Sequence, residues 1–165
     1  MKKILIAFTL LSSTYIVAQQ EIKVDLFYGL AFKTVEISYE HYLNEESSIG
    51  ISLLFNSDTE ADVSYNEKSM ITPYFRHYFN SAYNWNFFGE IFFGINSGDK
   101  DIIMLGGPLL TEDYTDGALG VALGYKYASP RGFVVDIHGG LGRNLFSSNS
   151  PEIVPRIGVN VGYRF

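Results

Sequence analysis

The chain has 165 residues with no cysteine, 18 acidic against 12 basic residues, and a net charge of −6. That length makes one domain. The lack of thiols excludes a disulfide-stapled miniprotein, a cysteine-ligated metal centre and a thiol enzyme, and the acidic balance excludes a basic nucleic-acid binder.

Residues 1–18 read as a secretory signal. Met1-Lys2-Lys3 is a basic start, Ile4 to Leu11 is apolar but for Thr9, and Ile16-Val17-Ala18 closes on a small residue, the order of a cleavable leader. A buried N-terminal helix, the competing reading, leaves Lys2, Lys3 and the abrupt change of pattern at Glu21 unexplained. Cleavage after Ala18 leaves residues 19–165 as the folded domain. No later apolar run is long enough for a spanning helix.

Period-two alternation fills almost everything after residue 20, which predicts eight strands. They are Ile22–Tyr28, Lys33–Leu43, Ser48–Phe55, Met70–Phe79, Trp85–Asn96, Gly117–Tyr127, Phe133–Phe146 and Arg156–Phe165. Most approach the roughly 9–11 residues with which a tilted strand crosses a bilayer. The gaps alternate. Asn44–Glu46, Asn80–Asn84 and Ala128–Gly132 are short, whereas Asn56–Ser69 and Ser97–Asp116 are long and polar, with Ser147–Pro155 between. Short turns at one end and longer loops at the other suit an outer-membrane barrel with both termini in the periplasm.

Each strand divides into an oily face and a polar or small one. Ile157, Val159, Val161, Tyr163 and Phe165 oppose Arg156, Gly158, Asn160, Gly162 and Arg164. Leu119, Val121, Leu123 and Tyr125 oppose Gly120, Ala122, Gly124 and Lys126. Glycine weakens a strand unless its space is needed, and the interior of a narrow barrel needs it. The oily faces therefore point to lipid and the polar faces inward. The inner set carries Lys23, Arg76, Lys126, Arg156 and Arg164 against Asp25, Glu36, Glu40, Glu90 and Asp136. Unpaired, such charges would be expensive, so a closed network is expected. Arg143 falls on the lipid register, which calls for a bulge or an outer-rim position. Tyr42, Phe79, Trp85, Phe87, Tyr127, Phe133, Tyr163 and Phe165 would form a periplasmic aromatic girdle, and Phe32, Phe55, Phe93 and Phe146 a looser upper one.

Chemistry-bearing motifs are few. No phosphate loop, dinucleotide motif, metalloprotease helix or EF-hand loop occurs. Glu36, Glu40, Glu90 and Asp136 could serve as acid/base carboxylates, but they read as members of the interior network. His77 near Ser81 and His41 near Ser38 are the available starts for a lipid-modifying enzyme, and neither has a carboxylate on its face. The acids Asp58, Glu60, Asp62, Glu67, Asp99, Asp101, Glu112, Asp113 and Asp116 make the outer loops a solvated surface or a ligand set for divalent cations that bridge lipopolysaccharide. No residue is assigned to catalysis, a cofactor or a metal.

With these features the chain resembles small OmpA/OmpX-type outer-membrane barrels, and more closely an uncharacterised Bacteroidota family of such barrels. Val35-Glu36-Ile37-Ser38-Tyr39-Glu40-His41, Pro73-Tyr74-Phe75-Arg76-His77-Tyr78 and Gly162-Tyr163-Arg164-Phe165 carry the likeness. The resemblance implies that Val161, Tyr163 and Phe165 are read by the barrel-insertion machinery, and it implies no enzyme activity and no cofactor. The reading is an all-β, eight-stranded antiparallel transmembrane β-barrel, a monomer in the bacterial outer membrane. Its role is structural or surface-interacting, with outer-membrane lipid and lipopolysaccharide as partners and no nucleic acid. A narrow channel, a lipid-modifying enzyme and a soluble periplasmic lipid-binding barrel are the alternatives.

Overall fold

The computed structural model describes residues 19–56, 67–79, 84–103, 109–147 and 150–165, without the side chains of 31, 32, 67, 100–103 and 109–111. The leader assigned to residues 1–18, Ser81, and the loop acids Asp58, Glu60 and Asp62 lie outside the described residues. Eight strands follow one another as β1 (Gln20–Asp25), β2 (Thr34–Asn44), β3 (Ser47–Asn56), β4 (Glu67–Tyr78), β5 (Trp85–Ile103), β6 (Leu109–Ala128), β7 (Phe133–Asn144) and β8 (Ile153–Arg164). A short helix, α1 (Leu26–Phe32), joins β1 to β2. Each strand pairs antiparallel with the next, and β8 returns to β1 to close the barrel. Closure removes the exposed edges that an open sheet would present. The two ends meet where Phe165 N donates to Gln20 O (2.9 Å) and Gln20 N to Phe165 O (3.1 Å).

Alternation in the sequence becomes a two-sided wall because successive side chains of a strand point to opposite faces. Ile22, Val35, Ile37, Ile91, Leu119, Val121, Leu123, Ile137, Leu141 and Ile157 are exposed on the outside, while Lys23, Glu40, Arg76, Lys126 and Asp136 are buried within. So continuous an apolar surface exceeds what soluble monomers present to water. The inner face accommodates large rings because glycine stands opposite them. Gly50 pairs with Tyr74, and Gly120 and Gly124 pair with Phe92 and Phe88. A Cβ built on any of the three runs into its partner's ring.

The turns at one end are tight. Asn44 Oδ1 accepts from Glu46 N (2.9 Å) between β2 and β3. Between β6 and β7, Gly132 adopts φ +90° and its N–H donates to Ser129 O (3.0 Å). A side chain at Gly132 would strain the backbone and meet the Tyr163 ring.

Two expected boundaries are corrected. The first strand stops at Asp25 instead of reaching Tyr28. Asp25 caps α1 by accepting from Tyr28 N (2.9 Å), the role that short polar side chains take at helix starts. Lys33, in the left-handed region at φ 52°, ends the helix with its N–H on Tyr28 O. Helical geometry turns the Tyr28 ring inward onto Leu54, Met70, Ala118 and Val154, which a continued strand would not do. The expected loop Ser97–Asp116 is instead the distal part of a long hairpin, with β5 and β6 paired from Trp85↔Tyr127 to Ile103↔Leu109. Beyond Ser97 this arm extends about 20 Å at a strand's rise per residue. Polar residues on both faces there, such as Asp99 opposite Asp113 and Lys100 opposite Glu112, hide the period-two signal.

The large-against-small fit predicts that Gly120→Val, which overfills the space before Phe92, lowers stability by about 1–3 kcal/mol. Urea unfolding in detergent would measure it, and an unchanged midpoint would refute the packing account.

Candidate functional site

The barrel interior is a column of ion pairs in three tiers. At the short-turn end Glu21, fully buried, accepts from Lys126 Nζ (2.8 Å) and from Arg164 Nε and Nη2 (2.8 and 2.6 Å). Tyr42 joins them, its hydroxyl donating to Glu21 (3.1 Å) and accepting from Arg164 (2.8 Å).

The central tier gathers around Glu40. Its carboxylate accepts from Lys23 Nζ (2.5 Å), Lys126 Nζ (2.8 Å), Arg76 Nη1 (3.3 Å), Ser48 Oγ (2.6 Å) and the Tyr78 hydroxyl. Asp136 faces the same cations, at 2.8 Å from Lys23 Nζ and 2.9 Å from Arg76 Nη1, and it accepts from Asn160 Nδ2 (2.8 Å). Above, Glu90 bridges Arg76 (2.5 Å) and Arg156 (2.8 Å), and Arg156 also reaches Glu36 (3.3 Å). The Arg76 guanidinium lies over the Phe88 ring (4.2 Å) and that of Tyr74 (4.8 Å). Cation–π contact adds to its ion pairs, so each strong charge is matched and the centre is filled.

All ten residues expected inside are there: Lys23, Asp25, Glu36, Glu40, Arg76, Glu90, Lys126, Asp136 and Arg156 are buried and Arg164 is half-buried at the rim. Nine share ion pairs, whereas Asp25 caps α1. The expected balance of five against five needs correcting: Asp116 is buried at the long-loop end, and Glu21 is a further interior acid of the column. Its position beside Gln19-Gln20, before the first predicted strand, concealed it. Tyr42 is corrected too. It lies in the inward register with Glu36 and Glu40, so it serves the network and not the girdle.

Outside, the expected girdle forms from the remaining rings. Phe79 stacks on Phe87 (5.5 Å), and Trp85 packs on Tyr127 (5.0 Å). Tyr163, opposite Phe133 on β7, and Phe165 are exposed, and Val161 is half-buried on the same face. Of the upper set, Phe55, Phe93 and Phe146 are exposed. Arg143 takes the outer-rim option, paired with Glu152 at 2.7 Å. His77 Nδ1 lies 3.3 Å from Ser47 Oγ. Ser38 is buried inside the barrel while His41 is on the outward register, so that pair does not meet. Among the described residues no three His, Asp or Glu side chains form a metal-binding group.

At the long-loop end Asp116 fixes the β7–β8 connection, accepting from Phe146 N and Ser147 N (both 2.9 Å), Ser150 Oγ (2.5 Å) and Gly117 N (2.6 Å). Burial alone would raise its pKa, but these donors hold it below the ordinary 3.8. Lys68 Nζ bridges Asp99 (2.7 Å) and Asp113 (3.1 Å) on the projecting hairpin.

Sequential antiparallel strands, closed around a filled polar interior and banded outside by apolar side chains, define a small barrel of the outer-membrane type. The N-terminal β-barrel domain of Pseudomonas aeruginosa OprF shares this fold, with TM-score 0.59 and 12 % identity over 90 % of this chain and 96 % of that one. Neisserial surface protein A shares it at TM-score 0.53 and 13 % identity, over 90 % and 96 %. Residues 3–150 match the family described as a protein of unknown function (DUF3575), and the chain belongs to that family. No curated protein matches it.

Two outcomes follow. Glu40→Leu leaves Lys23 only Asp136 and Lys126 only Glu21 as close carboxylates and is expected to cost about 3–5 kcal/mol, whereas Lys68→Ala on the exposed bridge should leave stability almost unchanged. Denaturant unfolding compares them. For Asp116, a depressed folded pKa means that its anchoring is complete above pH 3.8 and is lost as pH falls through the lower folded value. Asp116→Ala should release the loop at neutral pH as well, seen as lost exchange protection of the Phe146 and Ser147 amides.

Proposed function

We propose that the chain is an integral protein of the bacterial outer membrane whose role is structural or surface-interacting, with an interior that is closed to ions. One observation carries the reading: a continuous apolar exterior surrounds a core whose charges bond to one another. In hydrocarbon every polar group must find an internal partner, and a closed barrel supplies the backbone partners. The side-chain column does the same for the charges. The short-turn end with both termini then lies in the periplasm, residues 1–18 are removed during export, and Val161, Tyr163 and Phe165 present the outward C-terminal signal to the insertion machinery.

The outward role falls to the β5–β6 arm. It rises past the apolar band, with Asp99, Glu112 and Asp113 at its base, and is placed to meet lipopolysaccharide or a partner outside the cell. The barrel works as a monomer, since closure leaves no edge for lateral pairing.

Membrane fractionation with a heat-modifiability gel tests the placement. Recovery in the outer membrane, with a folded form that migrates differently after boiling, is expected. Unaggregated protein in the soluble periplasm would overturn the placement in favour of a lipid-binding barrel. In planar bilayers the folded protein should give no stable unit steps, and reproducible steps would establish a channel. A changed lipopolysaccharide mass profile on deleting the gene would establish a lipid-modifying enzyme.

A further inference from the structure

The β5–β6 arm leaves the wall before it ends. The ladder of β4 with β5 stops at Glu67↔Gly98, and that of β6 with β7 stops at Ala118↔Asn144. Beyond those rungs β5 and β6 continue as a two-stranded hairpin out to Ile103↔Leu109. Lys68 ties both of its strands to β4 near the foot, through Asp99 (2.7 Å) and Asp113 (3.1 Å).

The hairpin changes chemistry along its length. Its foot carries Asp99, Lys100 and Asp101 on one strand and Thr111, Glu112 and Asp113 on the other. Its far end is made by the pairs Ile102↔Leu110 and Ile103↔Leu109. The sequence that joins them, Met104-Leu105-Gly106-Gly107-Pro108, adds no charge, hydroxyl or amide side chain. Ile102 stands about 13 Å past the last rung shared with β4 at a strand's rise per residue, so the barrel's own apolar band does not reach it. Aliphatic residues gathered at such a place are a contact surface, since soluble surfaces keep apolar groups scattered.

Two features define what the end meets. The first is the want of any polar side chain from Ile102 to Leu110. Protein interfaces join apolar contact to regular hydrogen bonding, and this run has no side-chain group to set its register in a cleft. Lipid asks for apolar area alone, because the hydrophobic effect is non-directional. The second feature is charge. Asp99, Asp101, Glu112 and Asp113 lie within three residues of the run, against Lys100 and the bridging Lys68. That acidic excess is repelled by anionic headgroups and tolerated by zwitterionic ones.

We propose that the end of the β5–β6 arm is a membrane-contact element, in which Ile102, Ile103, Leu109 and Leu110 enter the headgroup boundary of a second, zwitterionic bilayer brought up to the cell surface. This rests on the outward placement of the arm proposed above. It selects a lipid surface without net charge over lipopolysaccharide. The carboxylates at the foot stop at the headgroups, so insertion is shallow. One arm holds weakly, because such binding scales with the apolar area buried, and many copies on one surface add their contacts.

Vesicle sedimentation tests this with the whole chain folded in phosphatidylcholine nanodiscs. Protein-bearing discs should sediment with sucrose-loaded phosphatidylcholine vesicles roughly tenfold more than empty discs do. Ile102→Ser, Ile103→Ser, Leu109→Ser and Leu110→Ser together should return binding to the empty-disc level, with heat-modifiable mobility showing the barrel intact. Phosphatidylglycerol in the vesicles should weaken binding several-fold at low salt, and Asp101→Asn with Glu112→Gln should remove that difference. Because the chain has no cysteine, Leu109→Cys carries a single polarity-sensitive dye, whose emission should move to the blue only when vesicles are added. Wild-type discs that sediment no more than empty ones, or a Ser variant that binds equally well, overturn the proposal. A blue-shifted dye before vesicles are added overturns it by placing the end in the barrel's own bilayer, and binding only to protein-bearing vesicles does so by making the partner a protein. Absence from the outer-membrane fraction overturns the placement itself, so the two failures are told apart.

Discussion

Charge enclosed in a narrow cylinder must be matched by charge, and this constraint organises the molecule. Lys23, Arg76 and Lys126 meet Glu40 and Asp136 from β1, β4, β6, β2 and β7, so the central tier exists only when distant strands have closed around it. A buried ion pair contributes little by itself to stability, since desolvation offsets much of the attraction. Its effect is on specificity. A strand slipped by one residue would put arginines into lipid and isoleucines into the column, and no neighbouring register satisfies both faces.

The alternation of the chain made the wall and its polarity legible, because period two assigns every residue of a strand to one side. It placed Glu40, Arg76, Glu90 and Lys126 inside without reference to their partners. What the pattern could not show was partnership. Glu40 holds Lys23 and Lys126, residues 17 and 86 positions away, and that depends on how the closed sheet is staggered. The helix was hidden for a local reason. Leu26-Phe27-Tyr28 is apolar at successive positions and reads as strand as readily as helix, until the Asp25 cap and the left-handed Lys33 decide it. The projecting arm was missed because a strand with water on both faces has no apolar face to reveal it.

The interior also changes character along its length. Tyrosine hydroxyls and carboxylates fill the short-turn half, whereas Tyr28, Leu54, Met70, Ala118 and Val154 make an apolar layer towards the long loops. Tyr28 is the one member of that layer delivered by a helix and not by a strand. Its helix begins at the Asp25 carboxylate, so the apolar layer is set in place from a polar position beneath it.

The shortness of β1 bears on how the cylinder holds together. Its ladder with β8 runs only from Glu21↔Arg164 to Asp25↔Asn160, while that of β7 with β8 continues to Arg143↔Ile153. Above Asn160 the flank of β8 turned towards β1 meets helix instead of strand. With the equally short β1–β2 ladder, the join between the chain's two ends is thus the least stitched part of the wall, the natural place for a nascent barrel to shut last and for a heated one to come apart first.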